Sequence, residues 1–303
     1  MIIKINCIQE EKPGKKWGKV FEKTWVFYRA WYVMGGVAAR PDYLTCSAAV
    51  NKHMPELVPL YEEVCELAGG GDLASRYLSM WNPPAFTSGC TQVAWTKGTP
   101  ALIRNYDHNP KWFEGVMLKS NWLRPVIGIS DCNWSLLDGM NSSGLCASLN
   151  FGGHTVVGKG FGIPLVIRYL LETCENVDEA VKSLERIPVH MAYNVMLMDR
   201  KGNYATLFLG PDRPATLVNK QACTNHQGDI EWPEYAFETQ TIERESAIEN
   251  YLNDKKLDLN SLFEKFLQPP LDQFGKKNRS GLSTVQPGFP SRAKPNFSGK
   301  EKS

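Results

Sequence analysis

The spacing of the apolar residues changes at residues 82–90, and this change constrains the fold more than any other feature. Upstream, residues 53–68 carry apolar side chains at i, i+3, i+4 and i+7, the spacing of one face of a helix. Downstream, short runs of β-branched and aromatic residues alternate with turn residues, which is typical of strands. Asn82-Pro83-Pro84 separates the two patterns, because consecutive prolines cannot continue a helix. The sequence therefore predicts a largely helical N-terminal leader, residues 1–89, and a strand-rich body that begins at Cys90.

The body, residues 90–274, alternates groups of strands with helices. Its first two strands, residues 91–96 and 101–106, are predicted to form a hairpin. Further strands are predicted over residues 115–120, 126–130, 144–150, 193–199, 204–209 and 215–218, and helices over residues 164–175, 177–185 and 239–252. Clusters of strands with helices between the clusters favour a layered α+β domain over a regular βαβ winding.

A tail of different composition follows the body. Residues 275–303 are rich in Gly, Pro, Ser and Lys, and seven Lys or Arg in this tail face a single Glu. Because so few apolar residues are present, we expect the tail to be disordered. The whole chain of 303 residues has a formal net charge of only +2, so the sequence predicts no nucleic-acid partner.

Targeting and metal-binding signals are weak. Residues 1–9 contain Lys4 and Cys7 where a secretory signal would have an apolar core, so we expect a cytoplasmic protein. The most apolar run, residues 25–39, is interrupted by Arg29 and is shorter than the ~20 residues of a membrane span, so we expect no membrane partner. The eight cysteines form no Cys-x-x-Cys pair, which indicates reduced thiols and neither a metal nor a cofactor.

Short motifs follow the start of the body in a specific order. They are Cys90-Thr91, Arg104-Asn105-Tyr106-Asp107, Asp138-Gly139-Met140-Asn141, Leu149-Asn150-Phe151 and Thr224-Asn225-His226, with Arg244 on a predicted helix. In this order they resemble the cysteine N-terminal nucleophile (Ntn) hydrolases, and among these the penicillin acyltransferase-like group. Bile-salt hydrolases and acid ceramidases are more distantly similar. The resemblance covers about residues 45–250 and implies a four-layer αββα fold.

The resemblance implies that Cys90 is a nucleophile exposed by cleavage of the Gly89–Cys90 bond. A cysteine at a chain terminus needs no histidine partner, because its own α-amino group, with an ordinary pKa of about 8, can take the thiol proton. Gly89 suits the cleavage, because a residue without Cβ permits a strained backbone and close approach of the thiol. The reaction implied is attack on a linear amide of a small-molecule substrate or acyl donor. The leader is expected to stay bound to the catalytic chain as a heterodimer.

Five further residues receive roles from the resemblance. Asp107 would accept hydrogen bonds from the new amine, and Arg104 would favour the thiolate. Asn225 would donate its side-chain amide to the tetrahedral oxygen. Asn150 and Arg244 would complete the site. Each also has an ordinary structural interpretation. Asp107 would then be a turn residue, Arg104 a cation at a strand edge and Asn225 a loop residue. Asn150 would cap the end of a strand, and Arg244 would lie on the surface.

Two alternatives stay open. An enzyme of the papain type would place a histidine beside a thiol, and the candidates are His108, His154, His190 and His226. The second alternative is an uncleaved, catalytically silent binding protein of the same fold. It is suggested by residues 281–285 and the Pro/Lys-rich run after them, which stand where the family has its last strands.

Overall fold

The computed structural model describes residues 4–107 and 113–273, so the expected basic tail lies outside the described residues. The strands are β1 (Asn6–Glu10), β2 (Gly89–Trp95), β3 (Ala101–Asp107), β4 (Val116–Asn121), β5 (Pro125–Asp131), β6 (Ser135–Asn141), β7 (Cys146–Phe151), β8 (Tyr193–Met198), β9 (Tyr204–Gly210), β10 (Arg213–Val218) and β11 (Ala222–Cys223). The α-helices are α1 (Lys15–Tyr32), α2 (Tyr43–His53), α3 (Val58–Leu67), α4 (Asp72–Leu78), α5 (Ile163–Thr173), α6 (Val177–Arg186), α7 (Pro233–Thr239), α8 (Thr241–Asn253) and α9 (Leu259–Phe266). None of these helices is long and apolar enough to cross a membrane.

The strands form two sheets that stack face to face. The large sheet has the order β1-β4-β5-β6-β7-β8-β9-β10, and the small sheet has the order β11-β2-β3. β1 runs parallel to β4, and the other neighbours are antiparallel. Between the sheets, Ala94 of β2 packs with Met196 and Met198 of β8 and with Phe208 of β9. The burial of these apolar side chains holds the two sheets together.

Helices cover the outer face of each sheet. α5 packs on β6 and β7 of the large sheet, and α6 packs on β8 and β9. On the other side, Ile248 of α8 and Phe266 of α9 pack with Val93 of β2 and Ile103 of β3. The layers are therefore helix, sheet, sheet and helix. This confirms the α+β class and the αββα sandwich of the Ntn hydrolases.

Most of the predicted elements are present, with informative exceptions. The predicted hairpin is β2–β3, and the predicted helices correspond to α5, α6 and α8. The helix predicted over residues 53–68 starts as a 3-10 turn, Pro55–Leu57, and continues as α3. β6 was not predicted, because Leu136 and Leu137 are both buried and the strand does not alternate.

The Asp-Gly-Met-Asn motif lies on β6 and connects it to two neighbours. Gly139 faces Gly128 of β5, and a Cβ on Gly139 would lie 2.6 Å from the carbonyl oxygen of Ile127. Asn141 donates through Nδ2 to the carbonyl oxygens of Leu171 and Cys174, at the end of α5. Gly139 and Asn141 of the motif therefore connect β6 to β5 and to helix α5. Asp138, the first residue of the motif, takes no part in these contacts.

The leader, residues 1–89, shares one hydrophobic core with the large sheet. Asn133 makes the central polar contacts between the two. Its carbonyl oxygen accepts from Trp17 Nε1 at 3.3 Å, and its Oδ1 accepts from the Tyr77 hydroxyl at 2.9 Å. Its Nδ2 donates to Thr24 Oγ1 at 2.6 Å. Trp17 and Tyr77 are both buried in the core cluster. Helices α1 and α4 are thus held on the sheet by buried apolar and polar contacts together.

A half-buried pair of carboxyl groups, Glu114 and Asp131, also contacts helix α1. The Tyr28 hydroxyl lies 2.9 Å from Glu114 Oε2 and 3.0 Å from Asp131 Oδ1, and its single proton can serve only one of them. Glu114 also accepts from the Ser130 hydroxyl and the Asn133 N–H, as an ionised carboxylate does. Burial raises the pKa of Glu114, and the hydrogen bonds from Ser130, Asn133 and Tyr28 oppose this effect. Burial, followed by the charge of Glu114, raises the pKa of Asp131 to about 7.

This pair predicts a stability that depends on pH. The carboxyl of an unfolded aspartate titrates near a pKa of about 4, so between about pH 4 and pH 7 the folded protein binds the extra proton. Stability is therefore expected to fall as the pH rises through this window. The melting temperature of the Asp131→Asn variant, measured at intervals from pH 4 to pH 8, should lose this component of the decline. Asp178→Asn, at an exposed position on α6, should keep the decline of the parent protein. Identical slopes for Asp131→Asn and the parent would contradict the assignment.

Candidate active site

Cys90 is the second residue of β2, at the centre of the sandwich. In the β2–β3 hairpin, Cys90 pairs with Tyr106 and Gly89 with Asp107. Cys90 is completely buried, because β2 lies between the large sheet and helix α8. Gly89 is the first residue of this strand, and its φ lies outside the left-handed range that favours glycine. Close approach explains the glycine instead: a Cβ there would lie 3.2 Å from Cβ of Asp107 and 3.4 Å from its carbonyl oxygen.

Arg104 places a cation in direct contact with the thiol. Its Nη2 donates to Cys90 Sγ at 3.2 Å, its Nη1 to Asp138 Oδ2 at 2.8 Å, and its Nε to the carbonyl oxygen of Leu149 at 3.0 Å. Burial disfavours the charged guanidinium, but the sulfur of Cys90 and the carboxylate of Asp138 outweigh this and raise the pKa of Arg104. The guanidinium also lies 4.8 Å from the ring centroid of Tyr106, on the face where the two-residue spacing places it. Arg104 is therefore a permanent positive charge at the sulfur.

Asn225 follows β11 and forms hydrogen bonds to the chain on both sides of Gly89. Its Oδ1 accepts from the backbone N–H of Cys90 at 2.8 Å, and its Nδ2 donates to the carbonyl oxygen of Ser88 at 3.2 Å. Nδ2 also donates to the carbonyl oxygen of Phe151 at 2.9 Å. In the continuous chain the side-chain amide thus contacts Ser88 and Cys90, the residues on either side of Gly89.

Arg244 lies in the first turns of α8 and is fully buried. Its guanidinium donates to the carbonyl oxygen of Cys90, to Thr91 Oγ1 at 2.7 Å and to Asn225 Oδ1 at 2.8 Å. Burial lowers the pKa of Arg244, and the negative charge of Asp107 opposes this effect. The surface-arginine interpretation is therefore wrong for Arg244.

The remaining two expected residues lie at different distances from the thiol. Asp107 ends β3, is buried, and pairs in register with Gly89, directly beside the expected cleavage point. Asn150, on β7, donates to the carbonyl oxygens of Cys223 at 3.0 Å and Thr224 at 3.2 Å. Asn150 thus holds the loop that leads into Asn225. Its observed contacts are to this loop and not to the sulfur.

Direct hydrogen bonds therefore connect four of the six expected residues: Cys90, Arg104, Asn225 and Arg244. Asp107 borders the group, and Asn150 supports it from one step away. Their catalytic roles stay predictions.

Sequence reasoning missed two residues of this site. Asp138 stood in a motif of the resemblance, but only its contact with Arg104 shows where its carboxylate points. Tyr235, on the short helix α7, donates its hydroxyl to the carbonyl oxygen of Ser88 at 2.7 Å. Tyr235 lies in no motif, so the sequence carried no signal for it.

The histidines of the papain-type alternative bond elsewhere. His154 contacts Glu231 near the surface, and His226 contacts Glu245. His190 is buried against the carbonyl oxygen of Phe161, and burial lowers its pKa to about 4. None of these three bonds Cys90, and His108 lies outside the described residues. Within residues 4–107 and 113–273, no three His, Cys, Asp or Glu side chains converge as a metal site would require.

Several solved structures resemble this chain in part. An N-acylethanolamine-hydrolyzing acid amidase ortholog from Caenorhabditis elegans aligns with 16% identity over 61% of this chain and 88% of its own, with a TM-score of 0.43. Penicillin V acylase from Agrobacterium tumefaciens aligns with 17% identity over 51% of this chain and 48% of its own, with a TM-score of 0.30. A conjugated bile acid hydrolase mutant from Clostridium perfringens aligns with 13% identity over 53% and 52% of the two chains, with a TM-score of 0.29. This chain thus spans about half the length of the last two.

No curated protein sequence matches the chain significantly. The sequence model of one family, described as acyl-coenzyme A:6-aminopenicillanic acid acyl-transferase, matches residues 95–279. The match starts just after Cys90 and includes the other five expected site residues. Because it spans more than half of the chain, the protein belongs to the acyl-coenzyme A:6-aminopenicillanic acid acyl-transferase family.

Proposed function

We propose that this protein is an amide hydrolase or acyltransferase that cleaves its own Gly89–Cys90 bond and then reacts through the Cys90 thiol. One observation supports this most directly: two groups bind opposite ends of the same residue. Arg104 binds the Cys90 sulfur, and Asn225 Oδ1 binds the Cys90 N–H. A nucleophile and the nitrogen of the bond to be broken are thereby held together.

Self-cleavage needs only groups of the chain and one water molecule. Cys90 Sγ attacks the carbonyl carbon of Gly89, a thioester forms, and the C–N bond breaks. The thiol proton passes to the departing nitrogen of Cys90. Water then hydrolyses the thioester, which gives a carboxylate on Gly89 and restores the thiol. Arg104 favours this sequence, because a nearby positive charge stabilises the attacking thiolate.

Cleavage would also release the group that is proposed to stabilise the reacting oxygen. Asn225 Nδ2 now donates to the carbonyl oxygen of Ser88, as does the hydroxyl of Tyr235. After cleavage, Gly89 is the C-terminus of the leader. When Ser88 and Gly89 move away from the site, Asn225 Nδ2 and the Tyr235 hydroxyl become available to the oxygen of a substrate carbonyl. The new amine of Cys90 would keep Asn225 Oδ1 as an acceptor, and Asp107, which pairs in register with Gly89, is the proposed second acceptor.

Turnover follows the same chemistry on an external amide. The Cys90 amine takes the thiol proton, the sulfur attacks the amide carbon, and the proton passes to the leaving amine. The acyl group, held as a thioester, is then transferred to water or to a second amine. The proposed substrate class is a small-molecule linear amide or acyl donor.

Replacement of the nucleophile should abolish both steps. We expect the Cys90→Ala protein to remain one chain of 34.1 kDa, whereas the parent should give species of roughly 10 and 24 kDa, scaled by chain length. Intact mass spectrometry under denaturing conditions measures this. Cys46→Ala, at another buried cysteine on α2, should cleave like the parent. A cleaved Cys90→Ala protein would refute the mechanism. An uncleaved parent that binds acyl-amides without turnover would favour the silent binding protein.

Replacement of Asp138 by a neutral residue should lower the activity without disrupting the structure of the site. Asp138→Asn keeps an oxygen for Arg104 but removes the negative charge that aligns its guanidinium. We expect kcat on an N-acyl 4-nitroanilide to fall by about 10- to 100-fold, because the thiolate is less well stabilised. Asp178→Asn, which removes an exposed aspartate, should leave kcat unchanged. A kcat for Asp138→Asn equal to that of the parent would show that Arg104 needs no carboxylate partner.

The N-terminal segment should remain bound after cleavage, because its side chains are part of the common core. Both fragments are expected to co-elute in size-exclusion chromatography without denaturant. Trp17→Ala removes a buried indole and should lower the free energy of unfolding by about 3–5 kcal/mol. Phe27→Ala, at an exposed position on the same helix, should change it little. Separation of the parent fragments in native buffer would contradict the expected heterodimer.

A further inference from the structure

Two adjacent pairs of residues join the loop after β11 to the first turns of α8. Arg244 Nη2 donates to Asn225 Oδ1 at 2.8 Å, and His226 Nε2 lies 3.2 Å from Glu245 Oε2. His226 directly follows Asn225, and Glu245 directly follows Arg244. The first pair contacts Cys90, whereas the second lies one residue further along both segments. The second pair therefore ties the same two segments together without occupying the site.

Thr241 extends this connection to the backbone of Asn225. Its Oγ1 accepts from the N–H of Asn225 at 2.7 Å and lies 3.0 Å from His226 Nδ1. The Thr241 hydroxyl donates its proton to Thr224 Oγ1 at 2.8 Å, and Thr224 in turn donates to the carbonyl oxygen of Thr241. The lone pairs of Thr241 Oγ1 are thereby left to face the N–H of Asn225 and the His226 ring. The ring thus contacts the same oxygen that holds the backbone of Asn225.

The carboxylate at the end of this chain is itself held in place. Glu245 Oε2 also accepts from Lys220 Nζ at 2.7 Å. Although burial raises it, hydrogen bonds from His226 and Lys220 keep the pKa of Glu245 below its usual value. A charged acceptor therefore faces His226 at neutral pH, and the network is Lys220, Glu245, His226, Thr241 and Asn225 in sequence.

We propose that His226 and Glu245 are positioning residues that hold Asn225 and Arg244 at Cys90. This inference rests on the proposed function, in which Asn225 donates to the reacting oxygen. A misplacement of about 1 Å in such a donor can lower the rate by about 10²-fold, while substrate binding is little affected. His226 is thus assigned to the support of the site and not to proton transfer at the thiol.

The test compares kcat, KM and the self-cleavage rate of three variants with an N-acyl 4-nitroanilide turned over by the parent. His226→Leu removes both bonds of the ring at similar size, and Glu245→Ala removes the acceptor. Both are expected to lower kcat and the cleavage rate by about 10- to 100-fold, with KM within about threefold of the parent. Glu245→Gln, which keeps an oxygen opposite Nε2, should recover most of the loss.

The matched control is Glu249→Ala, which removes an exposed glutamate one turn later on α8. It should behave as the parent does. If His226→Leu and Glu245→Ala are as active as this control, the positioning role is overturned. It is also overturned if Glu245→Gln loses as much kcat as Glu245→Ala, or if the loss appears in KM alone.

A second measurement is independent of activity and of the proposed function. In the uncleaved Cys90→Ala background, amide hydrogen exchange of the peptide that spans residues 222–227 should be at least about tenfold faster with His226→Leu than without it, and Glu245→Gln should leave it within about threefold. Both variants conserve side-chain size, so the comparison does not depend on whether Glu245→Ala folds. Unchanged exchange in His226→Leu would overturn the positioning role, whereas an inert parent with faster exchange in His226→Leu would overturn only the proposed function.

Discussion

The buried guanidinium of Arg244 is the constraint on which the rest of the site depends. A cation away from water is costly unless each N–H finds an acceptor, and here the acceptors are backbone, hydroxyl and amide oxygens. They come from Cys90 and Thr91 on β2, from Asn225 after β11 and from Thr239 at the end of α7. Helix α8 cannot shift against the small sheet without leaving this charge unsatisfied. The position of the Cys90 thiol therefore depends on the hydrogen bonds that satisfy the Arg244 guanidinium.

A second arginine connects the two sheets. Arg104 starts on β3 of the small sheet and reaches Asp138 on β6 and the carbonyl oxygen of Leu149 on β7, both in the large sheet. The sulfur of Cys90 lies beside this bridge. The αββα sandwich thus supplies two things at once: an apolar interior that excludes water, and a polar seam between the sheets where charges are strengthened by the low dielectric.

The sequence alone predicted the β2–β3 hairpin and helices α5, α6 and α8. Each of these elements has a clear periodicity of apolar residues and clear residues that mark its ends. Such patterns were insufficient for β6, whose consecutive buried leucines obey no strand period. The ordered motifs located Cys90, Arg104 and Arg244. They could not show that Arg104 pairs with Asp138, or that Tyr28 lies between Glu114 and Asp131. Those contacts join residues 34 to 103 positions apart in the chain, and only the packing of the layers decides them.

The first strand gives the N-terminal segment a role apart from catalysis. β1 lies at one end of the large sheet and covers β4, a strand of six residues. Without β1, the backbone N–H and C=O groups of β4 would face solvent and could pair with a strand of another molecule. Because β1 is itself the end strand, the residues ahead of Cys90 move the open edge of the sheet from β4 to β1, a strand of five residues. Loss of these residues would expose the whole length of β4 instead and favour aggregation through strand pairing.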